Sequence, residues 1–401
     1  MTLASPRTCL AGIARVRCWG RIGLLGVVFF VRVYAQSSLL TEEECEATGQ
    51  RIAHLLNTAS SKAVIDMFDF AANFELITNS LNLNARNKEL MRERHRSSSL
   101  HALNSSFNQF DSARFLRVLW IEGEKRVLLR LQNKGIGEYN YLSCTLARDD
   151  LDGGIKITDL HDFLAGETYS QATRDLIQGI LDVQTQAIKD RTPEIVQAHL
   201  DILDRIETAS GLVDSRRFKE ALDSLKDLPE TWKRHRLVLT LRFLASEHVN
   251  HDECQRVAQD WAEAFPGDAS LDMILELNDE WLNQYDQAIQ HVDSLMKHVG
   301  KDGYLSFRKA SLCLKNNDPA GAKRSAQEAL EQEPDLDEAR LIIVKSALRE
   351  KDHRITLFAW RDFHLRFPET DLARLTEAEP GYDDFIQSAE YQQWAARQNA
   401  P

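Results

Sequence analysis

The sequence predicts an α+β amino-terminal domain, three helices on a four-stranded antiparallel meander, followed by an all-α solenoid of helix pairs. Three observations carry this expectation. Four β-rich runs joined by short connections, most of them containing Gly, lie between residues 115 and 163. Beyond them the apolar pattern is helical throughout. Within that helical stretch Pro266, Pro334 and Pro368 are separated by 68 and 34 residues, and Gly300 stands at the intervening position. The chain has 401 residues, enough for two or three domains. With 27% charged and 43% hydrophobic residues it has a globular composition rather than a disordered one.

Residues 1–35 differ from everything after them. Arg7, Arg15, Arg17 and Arg21 make a basic start, Ile22 to Val31 is an apolar run, and Ala35 puts a small residue before Gln36. This order reads as a secretory signal peptide cut after Ala35, which makes the mature protein periplasmic or secreted. The run is shorter than the roughly 20 residues that span a bilayer. Arg32, between the run and the cut site, leaves an uncleaved anchor and an Arg-rich transit peptide as alternatives. No later stretch is apolar enough to span, so no stable membrane span is expected in the mature chain. Residues 1–35 hold five Arg and no acid, while the whole chain carries −12. The mature part is therefore more acidic still, which disfavours nucleic acid and anionic lipid as partners.

The elements follow in order. Thr41 to Glu44 is a capping box that starts a helix running to about Leu56. Ala63 to Leu81 reads as a second helix. Asn84 to about Phe110 reads as a third, with Leu100, Leu103 and Phe107 on one stripe. The period then changes. Strands are expected over Phe115 to Glu122, Arg126 to Gln132, Glu138 to Ala147 and Ile155 to Phe163. Helices before a curved meander resemble, in element order, the cone-shaped nuclear transport factor 2-like (cystatin-like) fold. Ser170 starts a trailing helix to about Asp190, and Thr192-Pro193-Glu194 is a further start signal. The domains are therefore expected at 41–190, 192–370 and 371–401, the last a capping helix.

The local strings fit the 34-residue period. Tyr285 to Ile289 and Phe218 to Leu222 read as the same element, 67 residues apart. Ala310, Ala322 and Ala329 stand at the three small-residue positions of the tetratricopeptide family that this string resembles, where two antiparallel helices approach closely, and the resemblance puts Asn317-Asp318 in the turn between them. With Pro334 closing the unit, residues 202–370 resemble tetratricopeptide repeats. In the units near His235–Pro266 and Asp337–Pro368, Cys254 and Thr356 replace the second small residue, and Trp261 and Phe363 the third. Phe385, Ala389 and Trp394 on a helix from Asp383 to about Arg397 are expected to cover the last repeat. The resemblance implies a protein or peptide partner bound along the first helices, and Arg308 lies on one of them. Trp232, with the basic neighbours Lys233, Arg234 and Arg236, stands between repeats and is a second candidate contact.

Catalytic signatures are sparse. Asp159 and His161 alternate on one face of the last strand and could act as an acid/base pair in a cone-shaped pocket. They define an alternative reading, a small-ligand or enzymatic site. No nucleophile elbow, phosphate loop, HExxH or GxGxxG accompanies them. Asp149, Asp150 and Asp152 before Gly153-Gly154 open like a calcium loop but lack the closing Glu, so a hairpin turn is expected. Arg92, Arg94, His95 and Arg96 are expected on a solvated face. Beyond Cys9 and Cys18, the four remaining cysteines are far apart with no CxxC, so neither metal nor cofactor is expected. Cys45 with Cys144 is the one pair considered for a disulfide. The sequence therefore points to an exported, non-enzymatic interaction protein.

Overall fold

The computed structural model describes residues 40–58, 61–121, 123–133, 138–149, 152–190 and 193–398. The expected signal peptide lies outside them. The described residues form two compact units. The first takes in the chain up to Leu76 and Asn84–Leu160; the second takes in Ile77–Leu83 and His161 onward.

In the first unit, α1 (Glu42–Thr58) begins at the expected capping box. The Thr41 hydroxyl accepts from the Glu44 amide at 3.1 Å, and the Glu44 carboxylate accepts from the Thr41 amide at 2.9 Å. Gly49 lets α1 close on the sheet, since a Cβ there would collide with the Phe115 ring. The expected second helix is broken into α2 (Ser61–Ile65) and α3 (Phe70–Thr78). The break has a cause in the sheet. Met67 and Asp69 exchange backbone bonds with Ile157 at 2.9 and 2.7 Å, making a parallel bridge through Phe68. Asp69 then accepts from the amides of Ala71 and Ala72 and restarts the helix. α4 (Ala85–Asn108) is capped by Asn84. It buries Leu103 and Phe107, but Leu100 of the expected stripe is exposed.

The sheet has the order β1-β2-β3-β4-β5, with β1 Ser112–Ile121, β2 Glu124–Asn133, β3 Glu138–Arg148, β4 Ile155–Asp162 and β5 Glu167–Thr168. Four of these strands match the expectation. The fifth, only two residues long, was not foreseen; it pairs His161 with Thr168 and Asp162 with Glu167. β1 and β2 pair antiparallel from Ser112↔Gln132 to Ile121↔Glu124, with a bulge between Phe115 and Arg117. The aspartate run is the expected turn: the Asp152 carboxylate accepts from the Gly154 amide at 2.7 Å.

Besides Ile77–Leu83, the second unit takes in the end of β4. The trailing helix α5 (Tyr169–Asp190) belongs to it, because α5 packs on α6 (Pro193–Asp214). After α6 come α7 (Phe218–Leu225), the short α8 (Glu230–Lys233), α9 (Arg236–Ser246) and α10 (His251–Ala264). They are followed by α11 (Ala269–Trp281), α12 (Tyr285–Val299), α13 (Gly303–Lys315), α14 (Pro319–Gln332), α15 (Asp337–Glu350) and α16 (His353–Arg366). Successive helices pack on one another as pairs.

The period is written into the backbone. Arg216, Asn283, Asn317 and Lys351 all adopt left-handed φ of 56–59°. The last three recur at 34-residue spacing, and Arg216 stands 67 before Asn283. Each joins the first helix of a pair to the second. A side chain pays for this conformation only where the turn demands it. The second small position, occupied by Ala221, Cys254, Ala288, Ala322 and Thr356, is fully buried in all five pairs. The third, Leu228, Trp261, Leu295, Ala329 and Phe363, is at most 5% exposed.

The helix expected from Asp383 to about Arg397 is two helices, and a third short helix precedes them. α17 (Leu372–Thr376) is followed by α18 (Tyr382–Ile386) and α19 (Ala389–Gln398). Phe385 is fully buried among Val344, Leu348, Trp360 and Phe363, and Trp394 packs against that cluster. Ala389 is exposed; Tyr391 fills the role expected of it, 5.1 Å from the Phe385 ring.

Candidate functional site

The candidate surface lies on the helix pairs of the second unit. The short helix α8 follows Pro229 and presents Trp232, Lys233 and then Arg234. Trp232 is half-buried: it packs on the cluster of Ile202, Ile206, Leu225 and Leu228 and stands 5.6 Å from the His235 ring. Arg234 is exposed and pairs with Glu263 at 2.9 Å. Arg236 is drawn inward. It pairs with Asp268, and its guanidinium lies 3.8 Å from the centre of the Phe265 ring. These residues are close in sequence yet differ in role, one anchoring, one exposed, one holding a loop.

Arg308 is not the exposed cation that its position implied. It donates to Glu276 from Nε at 3.1 Å and also engages Glu280. Glu276 is fully buried. Lys315 joins the cluster through Glu280. Burial alone would raise the Glu280 carboxyl, but the charges of Arg308 and Lys315 outweigh it and hold it below the ordinary range.

This cluster follows from a feature that sequence reasoning missed. Glu276 stands 34 residues before Ala310, at the first small position, and Arg242 stands 34 before Glu276. Where the best repeat has Ala, these two have buried charges. Arg242 is held by Glu253 from Nε and Nη2 at 3.1 and 2.8 Å, and by Asp260 at 2.8 Å. A charge at a small-residue site is the signal that could have found both, since a buried charge demands a partner.

Arg242 also floors a cleft of about 690 Å³. Lys219, Lys226 and Lys233 line it together with Asp223, Glu253 and Asp260. Its walls come mainly from the second helices α7 and α10, not from the first helices on which a groove was expected. Both charge signs converge there. A second cluster went unforeseen: His291 Nδ1 lies 2.9 Å from Asp272 and its Nε2 3.5 Å from Asp279. Burial pushes the Asp279 carboxyl up. Bonds from His291 and Ser294 hold Asp272 low against its own burial.

In the first unit Asp159 is buried, its carboxylate accepting from Asn73 at 3.3 Å and from the Leu160 amide at 3.0 Å. His161 falls in the other unit and packs edge-on to Phe163. The basic run on α4 is not uniformly solvated. His95 is buried against Phe70 and Phe74, and burial pushes its pKa down. Arg92 pairs with Glu75. Cys45, Cys144, Cys254 and Cys313 are free and buried, so Cys45 and Cys144 are not bridged. Burial pushes the Cys144 thiol up to about 12 and the Cys254 thiol up to about 11, which makes both poor nucleophiles. Among the described residues no group of three or more His, Cys, Asp or Glu could hold a metal. Among the same residues no helix is long and apolar enough to cross a membrane.

No protein-family profile and no curated protein matches the chain. Solved structures do align. A MamA chain from AMB-1 is 13% identical over 41% of this chain and 98% of its own, with a TM-score of 0.36. A MamA chain from MSR-1 is 15% identical over 40% and 94%, at 0.36. PilW, described as a widely conserved type IV pilus biogenesis factor, is 13% identical over 49% and 98%, again at 0.36. Such scores carry no argument about function. The repeat reading rests on this chain's own turns and burial.

Proposed function

We propose that this chain is an exported, non-enzymatic interaction protein, periplasmic or secreted after cleavage near Ala35, whose tetratricopeptide-like helix pairs bind a protein or peptide. The observation that carries the reading is the recurring left-handed turn residue with its fully buried small positions. Stacked pairs of this kind offer an extended surface for a partner. Arg234 and Trp232 are the contacts nearest the mixed-charge cleft in sequence. Arg236 steadies the loop beside them, and Arg308 acts with Glu280 and Lys315 as one charged patch. The acidic balance of the chain disfavours nucleic acid, and no cofactor enters the reading.

The test uses the full mature chain as bait in an envelope extract, with cross-links mapped by mass spectrometry. Partner cross-links should fall on residues 219–260 or on the first helices, and Arg234→Glu should reduce recovery with the melting temperature unchanged. Cross-links confined to the first unit, with loss of phenotype in Asp159→Asn, would overturn it in favour of a ligand site.

A further inference from the structure

The last helix pair carries an exposed face unlike those of its predecessors. On α16, Phe358 and Leu365 are each 77% exposed and Ile355 is 39% exposed. Phe358 and Leu365 are two turns apart and so share one face. The equivalent positions of the three preceding second helices are polar. Arg324, Gln290 and Arg256 correspond to Phe358, and Glu331, Lys297 and Glu263 correspond to Leu365; all six are exposed. The apolar residues are therefore peculiar to α16, not a demand of the repeat.

The rim of this face is basic. Arg354, Arg361 and Arg366 are exposed around the apolar stripe. Among the described residues Arg354 and Arg361 have no ion-pair partner. Arg366 shares Asp362 with Arg340, at 3.5 and 2.8 Å. A basic, apolar stripe on a chain of net charge −12 calls for an acidic counterpart. The chain's own apolar run, Ile22 to Val31, does not qualify, because its flanks carry only Arg. From Ile355 to Leu365 the stripe is about 15 Å long, two to three turns of a facing helix. Asp362 lies within it but is already countered by Arg340 and Arg366, so the face remains basic toward an acidic partner.

We propose that the Ile355–Phe358–Leu365 face of α16, rimmed by Arg354 and Arg361, docks an acidic amphipathic helix of a partner protein. The site is separate from the cleft and from the proposed groove contacts, so either can fail alone. The probe is a synthetic helix of about 18 residues with Leu at i, i+3 and i+7 flanked by Glu, measured by fluorescence anisotropy against the full mature chain. Binding should fall about tenfold or more in Phe358→Ser/Leu365→Ser and in Arg354→Glu/Arg361→Glu. It should also weaken as salt rises, and a Lys-flanked version of the peptide should not bind. These positions are exposed, so the variants should keep the wild-type melting temperature. Three results would overturn the proposal: equal binding of both peptides, or no binding of either; binding to phosphatidylglycerol vesicles that the same variants abolish; self-association that the same variants abolish.

Discussion

Arg308 donates to Glu276 across the stack of helix pairs, and Glu276 is fully buried. The arginine is therefore the counter-charge that allows a carboxylate to stand at a helix crossing. Removing one partner of a buried pair leaves the other uncompensated. Arg308→Ala should cost about 3–5 kcal/mol in urea denaturation. The double variant Arg308→Met/Glu276→Gln should recover most of that loss. A near-neutral Arg308→Ala would show that Glu276 is satisfied without it.

This pair also marks the limit of what the sequence alone conveys. The repeat register was legible because close helix approach restricts Ala310, Ala322 and Ala329 to small residues, and because Pro266, Pro334 and Pro368 interrupt the helices at a fixed period. The four long strands were legible from Gly-punctuated β-rich runs. Glu276 and Arg242 were not, because their partners lie in other helices and their one signal, a charge at the position where Ala310 stands, shows only once the 34-residue register is aligned. The break between α2 and α3 had the same origin: Phe68 is claimed by a strand nearly ninety residues later in the chain. Which of Ala389 and Tyr391 covers Phe385 depends on the break before α19, which apolar spacing alone did not reveal.

Glu167 should make the fold's stability depend on pH. Burial pushes its carboxyl from an ordinary 4.5 up to about 7; Arg236 pulls the other way, and Asp175, Asp268 and Asp162 add to the rise. A raised folded-state value means the folded chain holds the proton more tightly than the unfolded one. The resulting stability is fully present below about pH 4.5 and is lost as pH rises through about 7. Glu167→Gln should therefore flatten the melting temperature between pH 5 and 8, with a gain at pH 8 of up to about 3 kcal/mol. An unchanged slope in the variant would assign the dependence to another group.

The buried thiols give a chemical prediction. With Cys144 near 12 and Cys254 near 11, neither is a thiolate at neutral pH. Both should resist a thiol reagent at pH 8 in the native mature protein and react once urea unfolds it. Adding reductant should leave the melting temperature unchanged, since no described cysteine is bridged. A stabilising loss on reduction would reveal a disulfide.

The overpacking limit of the repeat can be tested at Ala322. This residue is fully buried at the second small position, where its counterparts range from Ala to Thr. Ala322→Leu should cost about 1–3 kcal/mol by forcing α13 and α14 apart. Ala320→Ser, on the half-buried start of α14, should stay within about 0.5 kcal/mol. Equal effects at the two positions would contradict the register.

The carboxyl-terminal helices should act as a lid on the last pair through one ring above all. Phe385 is fully buried, 5.4 Å from Trp360 and 5.1 Å from Tyr391, and it shares a cluster with Val344, Leu348 and Phe363. Gly381 sets its approach: φ is 90°, and a Cβ there would strike the carbonyl of Leu348. Phe385→Ala should lose the ring's transfer energy and leave a cavity, about 3–5 kcal/mol together. Gly381→Ala should also destabilise, because it adds strain where only glycine fits. Ala389→Ser, at an exposed site, should change stability by less than about 0.5 kcal/mol. Chemical denaturation of the three variants separates the alternatives. A deep loss in Phe385→Ala with none in Ala389→Ser fits a lid centred on Phe385. A small loss in both would mean that α15 and α16 close the stack themselves.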